Sequence, residues 1–194
     1  MQISSKLPAT GTTIFTIMSA LAREHNAINL SQGFPDFGCA PKLKELANYY
    51  VEQGFNQYAP MPGAMPLRER ISEIMSGCYA ANYDPDTEIT VTAGATQGIY
   101  TALAAFVHAG DEVIVFEPAY DCYGPAIALQ GGKTVYSQLN EADFSINWQD
   151  VKAKISVDTK AIIINSPHNP SGTIISAADL AVVHKRSSSI SPPK

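Results

Sequence analysis

Three short stretches hold residue types that could meet a flat, anionic ligand. In the first, Ile89-Thr90-Val91-Thr92 runs into Gly94, and Ala95-Thr96-Gln97 opens the next segment. A β-branched run closed by Gly and followed by small residues reads as strand, tight turn and helix start. Free N–H groups and the helix dipole at such a start favour an anion. The Thr96 hydroxyl would add a donor there, or would simply cap the helix in an ordinary βα turn. In the second stretch, Glu117-Pro118-Ala119-Tyr120-Asp121-Cys122-Tyr123 follows the apolar run Val113-Ile114-Val115-Phe116. An aromatic at the carboxyl end of a parallel strand can stack on a planar ligand, or fill a turn. The third, Asn165-Ser166-Pro167-His168-Asn169-Pro170-Ser171-Gly172, follows Ala161-Ile162-Ile163-Ile164. Its prolines and glycine make a stiff loop, in which the Asn169 amide could donate to an anionic oxygen or serve turn chemistry.

Other chemistries lack their residues. Neither G-x-G-x-x-G nor G-x-x-x-x-G-K-[ST] occurs, and no G-x-S-x-G elbow is present. His25, His108, His168 and His184 share no ligand spacing, so no metal site is expected. Cys39, Cys78 and Cys122 are odd in number and show no C-x-x-C pair, so reduced thiols are expected.

The elements that must position these loops follow from periodicity. Helices are expected at 12–25, 42–53, 67–79, 95–107, 121–130 and 147–155, with apolar stripes such as Leu43, Leu46, Ala47 and Tyr50, or Leu67, Ile71, Ile74 and Met75. Strands are expected at 89–92, 113–116, 133–137 and 161–164. Between the early helices, loops are expected around Asn29–Phe37 and Tyr58–Pro66. Strand–helix alternation at this spacing implies βαβ units, an α/β fold and a mostly parallel sheet.

The 194 residues carry 13 Lys plus Arg against 18 Asp plus Glu, a net charge of −5, with hydrophobic residues at 45%. This is a globular composition. The basic residues form no stripe, which argues against nucleic acid. No apolar run approaches the roughly 20 residues of a membrane span, and no signal-peptide pattern opens the chain, so a cytoplasmic location is expected. The last eight residues hold four serines and two prolines, a disordered composition.

Taken together, the segments Ser31-Gln32-Gly33-Phe34-Pro35-Asp36-Phe37, Asn56-Gln57-Tyr58, Ile89 to Gly98, Gly110 to Tyr123 and Asn165 to Gly172 resemble the fold-type I pyridoxal-phosphate aminotransferases. The resemblance runs from about Lys6 to Leu180 and is strongest to the class I group of methionine aminotransferases and kynurenine–oxoglutarate transaminases. It implies a cofactor, pyridoxal 5'-phosphate, and amino-acid and 2-oxo-acid substrates. Gly94, Ala95 and Thr96 match the phosphate cup. Tyr120 matches the aromatic stacked on the pyridine ring, and Asn169 the amide bonded to its ring oxygen. Tyr58 matches the tyrosine that reaches the partner subunit's phosphate, which implies a homodimer. Gly33 matches a backbone contact to the substrate carboxylate, and Phe15 an aromatic lining the substrate pocket. Glu117-Pro118 and Asn169-Pro170 match bonds that relatives often hold cis.

The same resemblance implies a seven-stranded sheet ordered 3-2-4-5-6-7-1, of which this sequence supplies strands 1 to 4. The Schiff-base lysine, the acid facing the pyridinium nitrogen and the carboxylate-binding arginine fall beyond the matched stretch. Lys185 and Lys194 are the only lysines after Asn169, and neither has the family's Ser-x-x-Lys context, so no catalytic residue is assigned. The expected organisation is an arm and substrate loop at 1–40, a partial cofactor-binding domain at 41–181 and a divergent, disordered tail at 182–194. The expectation is a truncated aminotransferase, inactive alone, acting by lineage on an apolar, aromatic or sulfur-containing amino acid. A pyridoxal-phosphate C–S lyase and a non-catalytic fragment pairing with an intact subunit are the alternatives.

Overall fold

The computed structural model describes residues 4–8, 11–33 and 35–187. They divide into two compact units, 12–95 and 96–187, the latter together with the described residues among the first eleven.

The first unit is helical. α1 (Ile14–Glu24) starts at Thr13, whose hydroxyl accepts from the Thr16 N–H. α2 (Pro41–Glu52) and α3 (Met65–Tyr79) both carry proline in their first positions, where an N–H has no helical partner. α1 and α2 contain no buried residue, and the stripe on α2 is exposed. On α3 the inward face is rotated from the expected one. Leu67 and Ile74 are each 48% exposed, while Arg68 is 4% exposed. The reason is that Arg68 finds three carbonyl acceptors, which makes its burial cheaper than an apolar count foresees.

The expected strand at 89–92 is corrected: among the described residues it joins no ladder. A strand exists only with a ladder partner, and the described residues place none beside it. Instead, the Val91 N–H donates to the Pro62 carbonyl at 2.8 Å.

The second unit is α/β. α4 (Ala95–Phe106), whose last eleven residues fall in it, leads into β1 (Glu112–Glu117). Then come α5 (Tyr123–Leu129), β2 (Lys133–Gln138), α6 (Trp148–Lys154), β3 (Thr159–Ile163) and α7 (Ala177–Ser187). The three strands are parallel in the order β2-β1-β3. That order agrees with the 3-2-4 portion of the expected sheet, so three strands stand where four were expected. Val113 and Val115 of β1 face Leu103 of α4, Val107 just beyond its end, and Ile127 of α5. Ile114 and Phe116 face the opposite side, with Leu139 and Val151. Alternate residues of β1 thus enter two cores, which is why its sequence is apolar without interruption.

α7 extends to Ser187, so residues 182–187 of the expected disordered tail are helical. Ala177, Ala178, Leu180 and Ala181 are good helix formers, and Asp179 sits in the first turn, where a carboxylate is favoured. The remainder of that tail, 188–194, and Phe34 of the expected substrate loop lie outside the described residues. All three cysteines are free thiols. Among the described residues no helix is long and apolar enough to cross a membrane.

Candidate active site

The start of α4 is shaped by Gly94. Its φ of +82° is a left-handed conformation that a β-carbon disfavours. The Gly94 N–H donates to the Thr92 carbonyl at 2.8 Å, and the Thr92 hydroxyl donates to the Gly94 carbonyl at 3.0 Å. The chain then enters α4 at Ala95, with no acidic residue in the first turn. First-turn N–H groups have no acceptor within a helix, so this end favours negative charge.

Tyr120 arrives at the same helix end from the loop after β1. Its hydroxyl lies 3.1 Å from that of Thr96. Tyr123 packs against the Tyr120 ring edge to face, with centroids 5.8 Å apart and planes at 77°. The Tyr120 ring is therefore held at two points while remaining partly exposed. Cys122 lies in the same loop, partly buried. Burial first, and Asp121 second, push its thiol above the ordinary range. Burial also raises the Tyr123 phenol. Both groups stay neutral near pH 7 and bring no negative charge to the helix end.

Asn169 lies in the loop after β3. The Ser166–Pro167 and Asn169–Pro170 bonds are cis, as is Glu117–Pro118 before Tyr120. The cis states of Glu117–Pro118 and Asn169–Pro170 agree with expectation; that of Ser166–Pro167 was not foreseen. The Asn169 N–H donates to Asn165 Oδ1 at 2.8 Å, and its side chain is exposed. His168 Nδ1 pairs with Ser171 Oγ at 2.8 Å, and burial lowers the imidazole's pKa, favouring its neutral form. A cavity of about 310 Å³ beside this loop is lined by Phe116, Leu139, Phe144, Ile174, His168 and Asp179, among others. None of the expected site residues lines it.

In the 12–95 unit, Phe15 is half-buried on α1, and Gly33 is exposed in its loop. Tyr58 is fully exposed, at 102%. Of the eight expected site residues, then, the structure joins Thr96 and Tyr120 directly, both in the 96–187 unit.

Residues 25–189 match the family model for aminotransferase class I and II. The chain belongs to that family. The chain is 52% identical to methionine aminotransferase of Escherichia coli over 179 residues, which is 92% of the chain and 46% of that enzyme. It is 35% identical to human kynurenine–oxoglutarate transaminase 1 over 176 residues, covering 84% of the chain and 42% of that enzyme. A crystal structure of an Escherichia coli protein with methionine aminotransferase function aligns with a TM-score of 0.93 and 49% identity, over 97% of this chain and 50% of that one. The structure of N-succinyldiaminopimelate aminotransferase from Mycobacterium tuberculosis aligns at 0.88 with 40% identity, over 95% and 48%. The chain spans about half the length of the curated relatives it matches.

Two further residues, Cys122 and Arg68, are not singled out by the sequence. Cys122 is one of the three thiols expected to be reduced, and burial raises its pKa. Arg68 belongs to no motif. A signal was present, because Arg68 stands three and seven residues before Ile71 and Met75, on their side of the helix.

Proposed function

We propose that this chain carries the cofactor-phosphate and ring-stacking groups of a pyridoxal-phosphate-dependent aminotransferase. In this reading, the Ala95 and Thr96 N–H groups and the Thr96 hydroxyl hold the phosphate. The donor set suits it: an open helix start with no first-turn acid, after a glycine beside which an added β-carbon would meet nothing within 4 Å. Tyr120 stacks on the pyridine ring, its hydroxyl tethered to Thr96. The Asn169 amide donates to the ring oxygen, and Tyr58 reaches the phosphate held by the partner in a homodimer. Gly33 offers backbone to the substrate carboxylate, and Phe15 lines the pocket for an apolar side chain. When bound, the cofactor supplies an electron sink for the substrate's α-carbon. The observation that carries the reading is the Thr96–Tyr120 contact at the start of α4, in a chain 52% identical to a methionine aminotransferase.

The amino donor is proposed to be methionine-like or kynurenine-like and the acceptor a 2-oxo acid. The reaction is tested on a chimera that joins residues 1–180 to the complementary half of the Escherichia coli methionine aminotransferase. Methionine turnover that requires a 2-oxo acid is expected. Release of ammonia without an acceptor overturns the transaminase reading in favour of a C–S lyase. The 194-residue chain alone is proposed to be inactive. Borohydride reduction in the presence of pyridoxal phosphate should label no single lysine; a stoichiometric label on Lys185 refutes this.

A further inference from the structure

We infer that Arg68 is a positioning residue that locks the loop presenting Tyr58 and the segment entering α4 into one frame. The guanidinium is buried, with Nε donating to the Gly63 carbonyl at 3.1 Å. Nη1 donates to the Pro85 carbonyl at 2.7 Å and to the Asp86 carbonyl at 3.1 Å. The Asp86 carboxylate, 73% exposed and 3.9 Å away, is a minor partner. Backbone carbonyls, not an acid, are what Arg68 reads, and its planar fork reaches two separate segments at once.

Those segments lead to two residues expected at the site. Gly63 closes the loop that begins at Tyr58, its N–H donating to Pro60 at 2.8 Å. The turn 84–88 opens the segment that ends at Gly94. That turn is braced by Asp84, which accepts from the Asp86 N–H at 2.9 Å and from the Thr87 hydroxyl at 2.8 Å. Loop and segment then meet directly. The Val91 N–H donates to Pro62 at 2.8 Å, and a β-carbon on Gly63 would lie 2.7 Å from Val91 Cγ2. Because residues 89–92 have no ladder partner among the described residues, these contacts are what place them. Arg68 is the only buried residue described in 12–95, so no apolar core does the same work.

The inference rests on the reading of Tyr58 and the start of α4 as phosphate-binding groups. Its test uses the whole 194-residue chain, with Arg68→Met, Arg68→Lys and Tyr58→Phe. Amide exchange reports local opening independently of any cofactor. Arg68→Met is expected to speed exchange at Gly63 and Val91 at least tenfold, with the β1 amides unchanged. It should also weaken pyridoxal-phosphate binding about tenfold. Arg68→Lys restores part of both losses, because one ammonium cannot span three carbonyls in a fixed fork. The double variant Arg68→Met/Tyr58→Phe should bind no more weakly than the poorer single variant, since both act through one group. Unchanged exchange at Gly63 and Val91 overturns the inference, as does uniform loss of protection in both Arg68 variants. Multiplying losses of affinity also overturn it. If the unsubstituted chain takes up no pyridoxal phosphate but the local exchange pattern holds, the phosphate reading fails while the positioning role stands.

Discussion

The two units of this chain are held together by different physics. In 96–187 the central strand β1 disappears from solvent: Val113 and Ile114 are 0% exposed, and two apolar cores flank it. Among the described residues of 12–95 no apolar side chain is buried, and Ile28, Leu30, Tyr58 and Met61 are each more than 80% exposed. Its segments are joined by hydrogen bonds instead, and the one buried set converges on Arg68. The contrast separates two ways of placing a loop. A loop after a buried strand inherits the strand's position at no further cost, as Tyr120 does after β1. A loop in a unit without a core must be tied residue by residue, as the segment 57–64 is.

The sharpest way to break this contrast is to cut equal apolar volume from each unit. Ile114→Ala leaves a cavity between packed layers and is expected to cost about 3–4 kcal/mol. Leu46→Ala, on the exposed face of α2, is expected to cost under about 0.5 kcal/mol. Urea unfolding followed by Trp148 fluorescence and by far-UV circular dichroism measures both. Equal costs would mean that 12–95 hides a core the contrast denies it.

Next in size is the tie itself. Gly63 has a φ of +101°, and an added β-carbon would press on Val91 Cγ2. Gly63→Ala therefore combines backbone strain with a steric clash and is expected to cost the 12–95 unit about 2 kcal/mol. The loss should be visible as faster amide exchange at Val91, with β1 protection intact. A silent substitution would show that the loop and the segment 89–92 are held independently.

Acidification sharpens the comparison from another side. Asp179 accepts from the Ser176 hydroxyl and from Trp148 Nε1, at 2.6 Å each, and these bonds hold its carboxyl below the usual range, the Ser176 bond contributing most. Asp84 in the other unit is lowered first by the Asp86 N–H. A carboxyl with a lowered folded pKa takes up its proton more readily when unfolded. Its contribution is therefore present above the unfolded value of about 3.9 and is lost as pH falls through the folded value. Both units should lose stability below about pH 4. Asp179→Asn should remove that dependence from the Trp148 signal alone, and Asp84→Asn from Val91 exchange alone. A single variant that flattens both profiles would show that the units titrate as one body.

What the sequence disclosed follows the same division. The 96–187 unit was legible because uninterrupted apolar strands and short βα turns have few other solutions, so β1, β2, β3, α4 and α6 fall where periodicity puts them. The contact of Thr96 with Tyr120 was not foreseen, because spacing along the chain does not say which side chains meet. The 12–95 unit was legible only element by element. Its helices are marked by Pro41 and by spacing, but the inward face of α3 turns on Arg68, whose partners are carbonyls in segments five to eighteen residues away. Carbonyls carry no sequence identity, so no motif announces such a tie. The segment 89–92 failed for the complementary reason. Its β-branched residues state a preference for extended backbone, while pairing depends on a neighbour that composition cannot supply.

The smallest expected effect tests whether a helix end matters more when the helix is docked. Asn147 Oδ1 caps α6 by accepting from the Gln149 and Asp150 N–H groups, at 3.1 and 3.2 Å. Thr13 caps α1 with one bond of 3.3 Å from Thr16. α6 is anchored by Val151, 2% exposed, so fraying its first turn pulls on the core. α1 buries nothing, so its first turn can open without consequence elsewhere. Asn147→Ala is expected to cost about 1 kcal/mol and Thr13→Ala about 0.5 kcal/mol. Only the former should move the urea midpoint read by Trp148. The latter should appear solely as faster exchange of the Ile17 amide, which donates to the Thr13 carbonyl at 3.2 Å. A shift of the Trp148 midpoint by Thr13→Ala as large as that by Asn147→Ala would mean that docking does not set what a cap is worth.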